Sequence, residues 1–296
     1  MNSNTRGTLE MSAAMVISGT IGWAVVQSAQ PIVDLLFWRC IFGAATLLVV
    51  CAALGMLRGT LSLRLIGIAA LGGAALVLNW VLIFASFSRA SISIATAVYN
   101  TQPFMLVALG ALFCSERLTA TKFMWLAVAF GGVLLIAQAQ PDARYSGAGY
   151  AAGVLMALGA AFFYALAAII TKKLSAAPPH LIALIQLCVG ILVFAPFARL
   201  SHLPSDPGTW TALVAMGVVY TGLVYVLLYG AIQKLPTHLT AALSFIFPVV
   251  AIGIDFLVFG HRLHPMQFVG AAAILIAAAG MNLGWSLPRS KAPLPL

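Results

Sequence analysis

Arg39 is the residue whose position demands most of its surroundings. It follows Pro31 by eight residues inside an apolar run, roughly 12 Å along a helix at 1.5 Å per residue. A cation at that depth in hydrocarbon is costly and should face a bundle interior with a partner. Two roles are open: an anchor for a substrate carboxylate, or a structural or gating pair with Asp34 or Asp255, each toward one end of its own apolar run. A second group is Trp38, Asn79, Trp80 and the polar run Tyr99-Asn100-Thr101-Gln102 before Pro103. Proline removes a backbone donor and frees a carbonyl one turn earlier. Polar residues at such a place line a cavity better than they face lipid. Their plainer role is hydrogen bonding between helices.

A third group, Tyr164, Tyr220, Tyr225, Tyr229 and Ser244, lies in the second half of the chain, with Pro248 as its proline. Aromatic faces with a few hydroxyls and amides suit an apolar or aromatic solute carrying one polar end. Core packing and an aromatic belt at the membrane interface are the alternatives.

These residues need elements to hold them, and the elements are apolar runs. Ten can be marked, at 9–28, 32–55, 65–87, 92–113, 122–139, 148–171, 180–198, 209–232, 238–259 and 267–286. Each is long enough to span as a helix. The chain of 296 residues is 62% hydrophobic and only 7% charged, against about 25% charged in a soluble domain. That excludes a soluble enzyme and a disordered chain. The net charge of +9 comes from basic residues placed one or two at a time between apolar runs. This is a topology signal, not a nucleic-acid-binding stripe. With the N-terminus inside, inner segments hold ten Lys and Arg residues and outer ones four, which predicts cytoplasmic termini. The lipid bilayer is thus the first partner, and no nucleic acid is expected.

Residues 76–123 align with 221–268 without a gap, a shift of 145, and nine of 48 positions are identical. Among them are Pro103/Pro248 and Arg117-Leu118/Arg262-Leu263; Trp80/Tyr225 are both aromatic, and Tyr99 falls on Ser244. With five spans per repeat, the second must enter the membrane from the opposite side. The expected fold is an all-α membrane protein of ten transmembrane helices as two inverted five-helix repeats. The expected domains are residues 1–139, a linker at 140–147, residues 148–287, and a disordered tail at 288–296. Inverted repeats mark secondary transporters, with the substrate site near the midplane between the halves.

The 5+5 arrangement, Arg39 in the second span, Pro103 and Pro248 in the fourth span of each half, and Ser115-Glu116-Arg117-Leu118 before the fifth together resemble the drug/metabolite transporter superfamily. The chain is similar to its EamA-type exporters, and among these to bacterial exporters of aromatic and other neutral amino acids. The resemblance implies export across the inner membrane, a small-molecule substrate of that class, and no cofactor. The second half departs from the pattern: Gly260-His261-Arg262-Leu263 stands where the family usually repeats the acid.

The substrate-binding set read from residue type, spacing and the repeat is Trp38, Asn79, Trp80, Tyr99, Asn100, Tyr225 and Ser244. Arg39, Asp34, Asp255, Pro103 and Pro248 form a gating or structural set. Other amphipathic solutes, such as drugs or purines, are the alternative cargo. An intramembrane enzyme would need convergent acid, base or metal groups, and only Asp34, Arg39 and Asp255 approach that. No phosphate-binding loop, serine elbow or metal-binding histidine pattern is present. A channel would need a ring of charges or a carbonyl filter. The motifs Gly149-x-x-x-Gly153 and Gly280-x-x-x-Gly284 suit close helix packing within a monomer, with a weak homodimer seam as the second reading. The four cysteines read as small core residues.

Overall fold

A computed structural model describes residues 2–28, 30–57, 61–90, 92–116, 119–138, 148–199, 204–259 and 265–285. Among these, all regular structure is helical. The helices are α1 (Ser3–Gly19), α2 (Ile21–Ser28), α3 (Ile32–Ala53), α4 (Leu63–Phe87), α5 (Ile92–Tyr99), α6 (Gln102–Cys114) and α7 (Ala120–Gln138) in the first half. The second half holds α8 (Ala148–Lys173), α9 (Pro179–Phe194), α10 (Pro207–Gly217), α11 (Val224–Lys234), α12 (Thr237–Ser244), α13 (Ile246–Phe259) and α14 (Pro265–Leu283). Among the described residues, eight segments are long and apolar enough to cross a membrane. The other two, Ala120–Leu135 and Phe268–Leu283, are apolar but shorter. They occupy the fifth and tenth places of the sequence reading.

The helices pack as a pseudo-symmetric pair. α3 packs on α9 and α7 on α14, each against its own counterpart. α4 on α8 is answered by α11 on α1, α4 on α9 by α10 on α3, and α5 and α6 on α8 by α12 and α13 on α1. A set of contacts that survives exchange of the halves is what a two-fold axis produces. Equivalent helices are five segments apart in chain order; five crossings between them would set the halves in opposite directions, as an inverted pair requires.

Both fourth segments are broken at the same repeat position. α5 gives way to α6 at Asn100–Thr101, just before Pro103, and α12 to α13 at Phe245, before Pro248. Polar side chains at the breaks fold back on their own helices. Asn100 Nδ2 donates to the carbonyl of Thr96 (2.8 Å), Thr101 Oγ1 to that of Val98 (2.8 Å), and Ser244 Oγ to that of Ala241 (2.7 Å). The eighth segment has its own irregularity, a π-helical stretch at Val218–Leu223 between α10 and α11. Inside it the Thr221 hydroxyl donates to the Met216 carbonyl at 2.7 Å.

Glycines act where helices cross closely. A Cβ on Gly153 would lie 2.7 Å from the backbone N of Ala90, and one on Gly280 2.6 Å from the Trp125 ring. These two positions are consumed by packing inside the bundle. The cysteines divide: Cys40 and Cys51 are buried, Cys114 is half-buried and Cys188 is exposed, so the core reading fails for Cys188. An exposed, apolar helix face in a bilayer is a lipid-facing one.

Candidate functional site

Arg39 is buried, and its guanidinium lies 4.7 Å from the centre of the Trp80 ring. Its Nε donates to Thr221 Oγ1 at 3.1 Å. The π-helical stretch thus supplies the cation's hydrogen-bond acceptor. The expected pairing with Asp34 does not form. Asp34 sits near the start of α3 and its Oδ1 accepts the backbone N–H of Arg199 at 2.8 Å, tying α3 to the segment after α9. The side chain of Asp255 lies outside the described residues; its helix, α13, packs against α1, α2 and α14. Among the described residues, Arg39 forms no ion pair.

Trp80 meets Tyr225 edge to face, ring centres 6.4 Å apart. These residues are equivalent under the 145-residue shift. Two equivalent side chains that touch must lie beside the axis that relates them, so the contact marks where the halves meet. Tyr225 continues edge to face into Tyr229 at 5.2 Å. Tyr164 and Tyr99 form a second such pair at 6.3 Å. A small cavity, about the size of a water molecule, opens between these groups. It is lined by Leu76 of α4, Tyr164, Ala167 and Ala168 of α8, and Tyr225, Leu228, Tyr229 and Ile232 of α11. Residues 225, 228, 229 and 232 recur at i, i+3, i+4 and i+7, one face of a helix.

Other expected site residues go elsewhere. Asn79 spends its amide on the Ala160 carbonyl (2.8 Å) and the Tyr99 hydroxyl (3.1 Å), joining α4, α8 and α5. Asn100 and Ser244 bond to their own helices, as the breaks require, and neither lines the cavity. Trp38 belongs to a different aromatic group with Phe37, Phe42 and Trp210. Pro103 and Pro248 stand just inside α6 and α13 and set the breaks.

Three residues at the site carry weak sequence signals. Thr221 is inside an apolar helix and gains its role only from the π register. Gln186, an isolated amide in the apolar helix α9, accepts the Tyr229 hydroxyl through its Oε1. Thr171, fully buried on α8, is a lone threonine in an apolar helix.

The end of the bundle that carries Lys172 and Lys234 is held by charges. Glu116 Oε2 accepts both the N–H and the hydroxyl of Thr237, at 2.8 and 2.7 Å, while its Oε1 lies 3.2 Å from Lys172 Nζ. Lys172 also donates to the Leu235 carbonyl. Lys234 Nζ meets Glu10 Oε2 at 2.6 Å, and Glu10 Oε1 accepts from Arg6 Nε at 2.9 Å. Glu116 therefore ties the first half, after α6, to α8 and α12 of the second. The second-half counterpart, Gly260 to Leu263, lies outside the described residues.

Burial pushes the Glu116 carboxyl up, but the two Thr237 hydrogen bonds and the Lys172 charge outweigh it and hold the group below its ordinary value of 4.5. A carboxyl depressed in the folded state contributes stability above its unfolded pKa, and that contribution is lost as pH falls through the folded one. Thermal unfolding of the detergent-solubilised protein should therefore show a midpoint that drops as pH falls below about 4.5. Glu116→Gln should start lower at neutral pH and flatten this slope. Parallel curves for the two proteins would show that Glu116 is not the group responsible.

Among the described residues, no group of three or more His, Cys, Asp and Glu side chains is placed to hold a metal ion. What the site presents is one buried cation, a ladder of aromatic rings and a few neutral hydrogen-bonding groups, all at the junction of two halves. That arrangement can bind a small solute; it offers no nucleophile with a neighbouring base.

Comparison with known proteins agrees with this architecture. A crystal structure superposes with a TM-score of 0.81 over 95% of this chain and 97% of its own, at 20% identity, and shows the same fold. The uncharacterized transporter YxxF of Bacillus subtilis is 28% identical over 277 residues, 93% of this chain and 88% of its own length. A probable amino-acid metabolite efflux pump of Salmonella typhimurium is 28% identical over 195 residues, 62% of this chain and 64% of the pump. The threonine/homoserine exporter RhtA of Escherichia coli is 26% identical over 205 residues, 68% of this chain and 66% of the exporter. The EamA-like transporter family matches twice, over residues 6–138 and again over 151–283, so each repeat is one family unit and the chain belongs to the EamA-like transporter family.

Proposed function

We propose that this protein is a secondary exporter of neutral amino acids, aromatic ones among them, across the bacterial inner membrane, working by alternating access. The observation that carries this reading is the buried Arg39 guanidinium against Trp80 and Tyr225 at the meeting point of the halves. A cation with neutral neighbours suits the carboxylate of a zwitterion, and the rings beside it suit an apolar side chain. The names of two relatives, an amino-acid metabolite efflux pump and a threonine/homoserine exporter, support the same solute class. Nucleotide-like cargo would call for several deep cations. The repeat domains, bounded at 139 and 148, rock about the axis beside Trp80 and Tyr225. Both termini face the cytoplasm, so the Glu116 and Glu10 ion pairs close the inner end.

Counterflow in proteoliposomes with a panel of labelled amino acids, with and without a pH gradient, tests the reading. Neutral amino acids should exchange and a purine or cationic drug should not; the opposite pattern would overturn it. For orientation, an impermeant thiol reagent added outside should reach a cysteine introduced at Ser205 and miss one at Lys172. Reversed labelling would invert the direction of transport.

A further inference from the structure

The hydrogen bond between Arg39 and Thr221 fixes which edge of the cation is left over. A guanidinium carries N–H donors and no acceptor, so in this contact Thr221 Oγ1 can only accept, at 3.1 Å. The hydroxyl's single proton is already committed to the Met216 carbonyl, at 2.7 Å. Donation therefore runs one way, from Arg39 through Thr221 to Met216. Thr221 is 0% exposed, and its methyl packs where α3 crosses the π-helical stretch: a Cβ on Gly43 would stand 2.9 Å from Thr221 Cγ2. An acceptor pinned by its methyl and by its own proton pins the guanidinium in turn. Trp80 lies over the cation, 4.7 Å from its ring centre. What remains is the edge that carries Nη1 and Nη2. Among the described residues neither nitrogen has a hydrogen-bond partner, and neither is fully enclosed.

Resting on the export reading above, we propose that Thr221 is a positioning residue for the substrate carboxylate: by taking Nε it leaves the Nη1–Nη2 edge of Arg39 as the binding edge, and so sets the preference for an acid over its amide. A carboxylate meets that edge with an acceptor oxygen for each nitrogen, in bidentate geometry. An amide brings one oxygen and one NH2, and the NH2 would point a donor at a donor. A site built for the paired form rejects an analogue that leaves its donors unpaired. Thr221 does not touch the solute. It spares the cation the cost of being ordered when substrate arrives. The other half has no second copy of this arrangement. Under the 145-residue shift Leu76 stands at the place of Thr221, and α4 runs on as a regular helix with no π-helical stretch. Only one of the two symmetry-related crossings can hold an acid in this way.

Phenylalanine and phenylalaninamide are the test pair, alike except at the carboxylate, compared at a pH where both amines are charged. Each is titrated as an inhibitor of labelled phenylalanine counterflow in proteoliposomes of wild type, Thr221→Val and Thr221→Ser. If wild type does not exchange phenylalanine, threonine and threoninamide take their place. Valine keeps the shape and loses the acceptor; serine keeps the hydroxyl. Wild type should need about tenfold less acid than amide for half-inhibition. Thr221→Val should need about tenfold more acid than wild type, with the amide within about twofold of its wild-type value, and Thr221→Ser should keep the wild-type ratio. A merely structural role would shift acid and amide together, and that parallel shift would overturn the proposal. So would an unchanged ratio in Thr221→Val, or a ratio that Thr221→Ser also loses. Equal potency of acid and amide in wild type would refute it too, while the exchange itself leaves the export reading standing. Wild type that exchanges neither amino acid would refute the export reading and this proposal with it. If Thr221→Val is not monodisperse by size-exclusion chromatography, Thr221→Cys, whose sulfur accepts only weakly, decides on the same expected ratio.

Discussion

Arg39→Ala is expected to cut amino-acid transport by roughly 30- to 1000-fold, the equivalent of about 2–4 kcal/mol of carboxylate binding, while the thermal midpoint stays within a few degrees of wild type. The two halves of this expectation come from the same geometry. Removing a buried partner of an ion pair destabilises by about 3–5 kcal/mol, because a charge is stranded. Here none is stranded among the described residues: Asp34 keeps the N–H of Arg199, and Thr221 keeps its bond to Met216. What the fold loses is the contact with the Trp80 ring, worth up to about 2 kcal/mol when desolvated. What it gains is release from burying a guanidinium, which offsets much of that loss. Counterflow rates and differential scanning fluorimetry on one preparation would measure both. A midpoint that collapses together with transport would assign Arg39 to structure, and wild-type rates would remove it from the site. Arg39→Lys should fall between, since an ammonium keeps the charge without the planar fork.

The second large effect should be on folding. A Cβ on Gly217 would lie 2.2 Å from Phe42 Cβ and 2.9 Å from the backbone N of Gly43. Gly43 faces the same crossing, with the Gly217 carbonyl 3.2 Å from where its own Cβ would be. Backbone lies on both sides, so no rotamer change relieves the clash and α10 must move off α3. Overpacking of this kind costs about 1–3 kcal/mol. Gly217→Ala should therefore lower the thermal midpoint and the monodisperse yield in detergent. It should also weaken transport, because the same crossing brings Thr221 to Arg39. Gly67→Ala is the control: nothing lies within 4 Å of its Cβ direction, and alanine favours the helix by up to about 1 kcal/mol. Equal midpoints for the two variants would show that the α3–α10 crossing has slack.

How far the chain could be read in advance depended on whether a feature was local. Helices and repeats were legible, since an apolar run acts on its own surroundings; the breaks in the fourth segments were not, because 92–113 and 238–259 read as continuous runs with Pro103 and Pro248 as the only hint. The aromatic pair Trp80 and Tyr225 was legible through the repeat, because symmetry converts sequence equivalence into spatial proximity. The partner of Arg39 was not. It depends on a π register that rotates Thr221 toward α3, and nothing in the run Val218–Leu223 announces that register. Asn100 and Ser244 are ambiguous for a related reason: a polar side chain beside a helix break is equally suited to a cavity and to carbonyls of its own helix. Gln186 carried a faint signal, a single amide in an apolar span, but only its bond to Tyr229 gives it a place.

The Glu116–Thr237–Lys172 and Glu10–Lys234 contacts also bear on how affinity would look from the two sides of the membrane. On the proposed alternating-access cycle with this end facing the cytoplasm, every 1.4 kcal/mol by which they favour closure would lower tenfold the share of molecules open to that side. A solute inside the cell can bind only that share, so its apparent dissociation constant rises by the same factor, about 100-fold if 1% of molecules are open. The pocket itself would be unchanged. Half-saturation would then differ between faces by an amount set by ion pairs that never touch the cargo, and salt or acid would shift the inner value first.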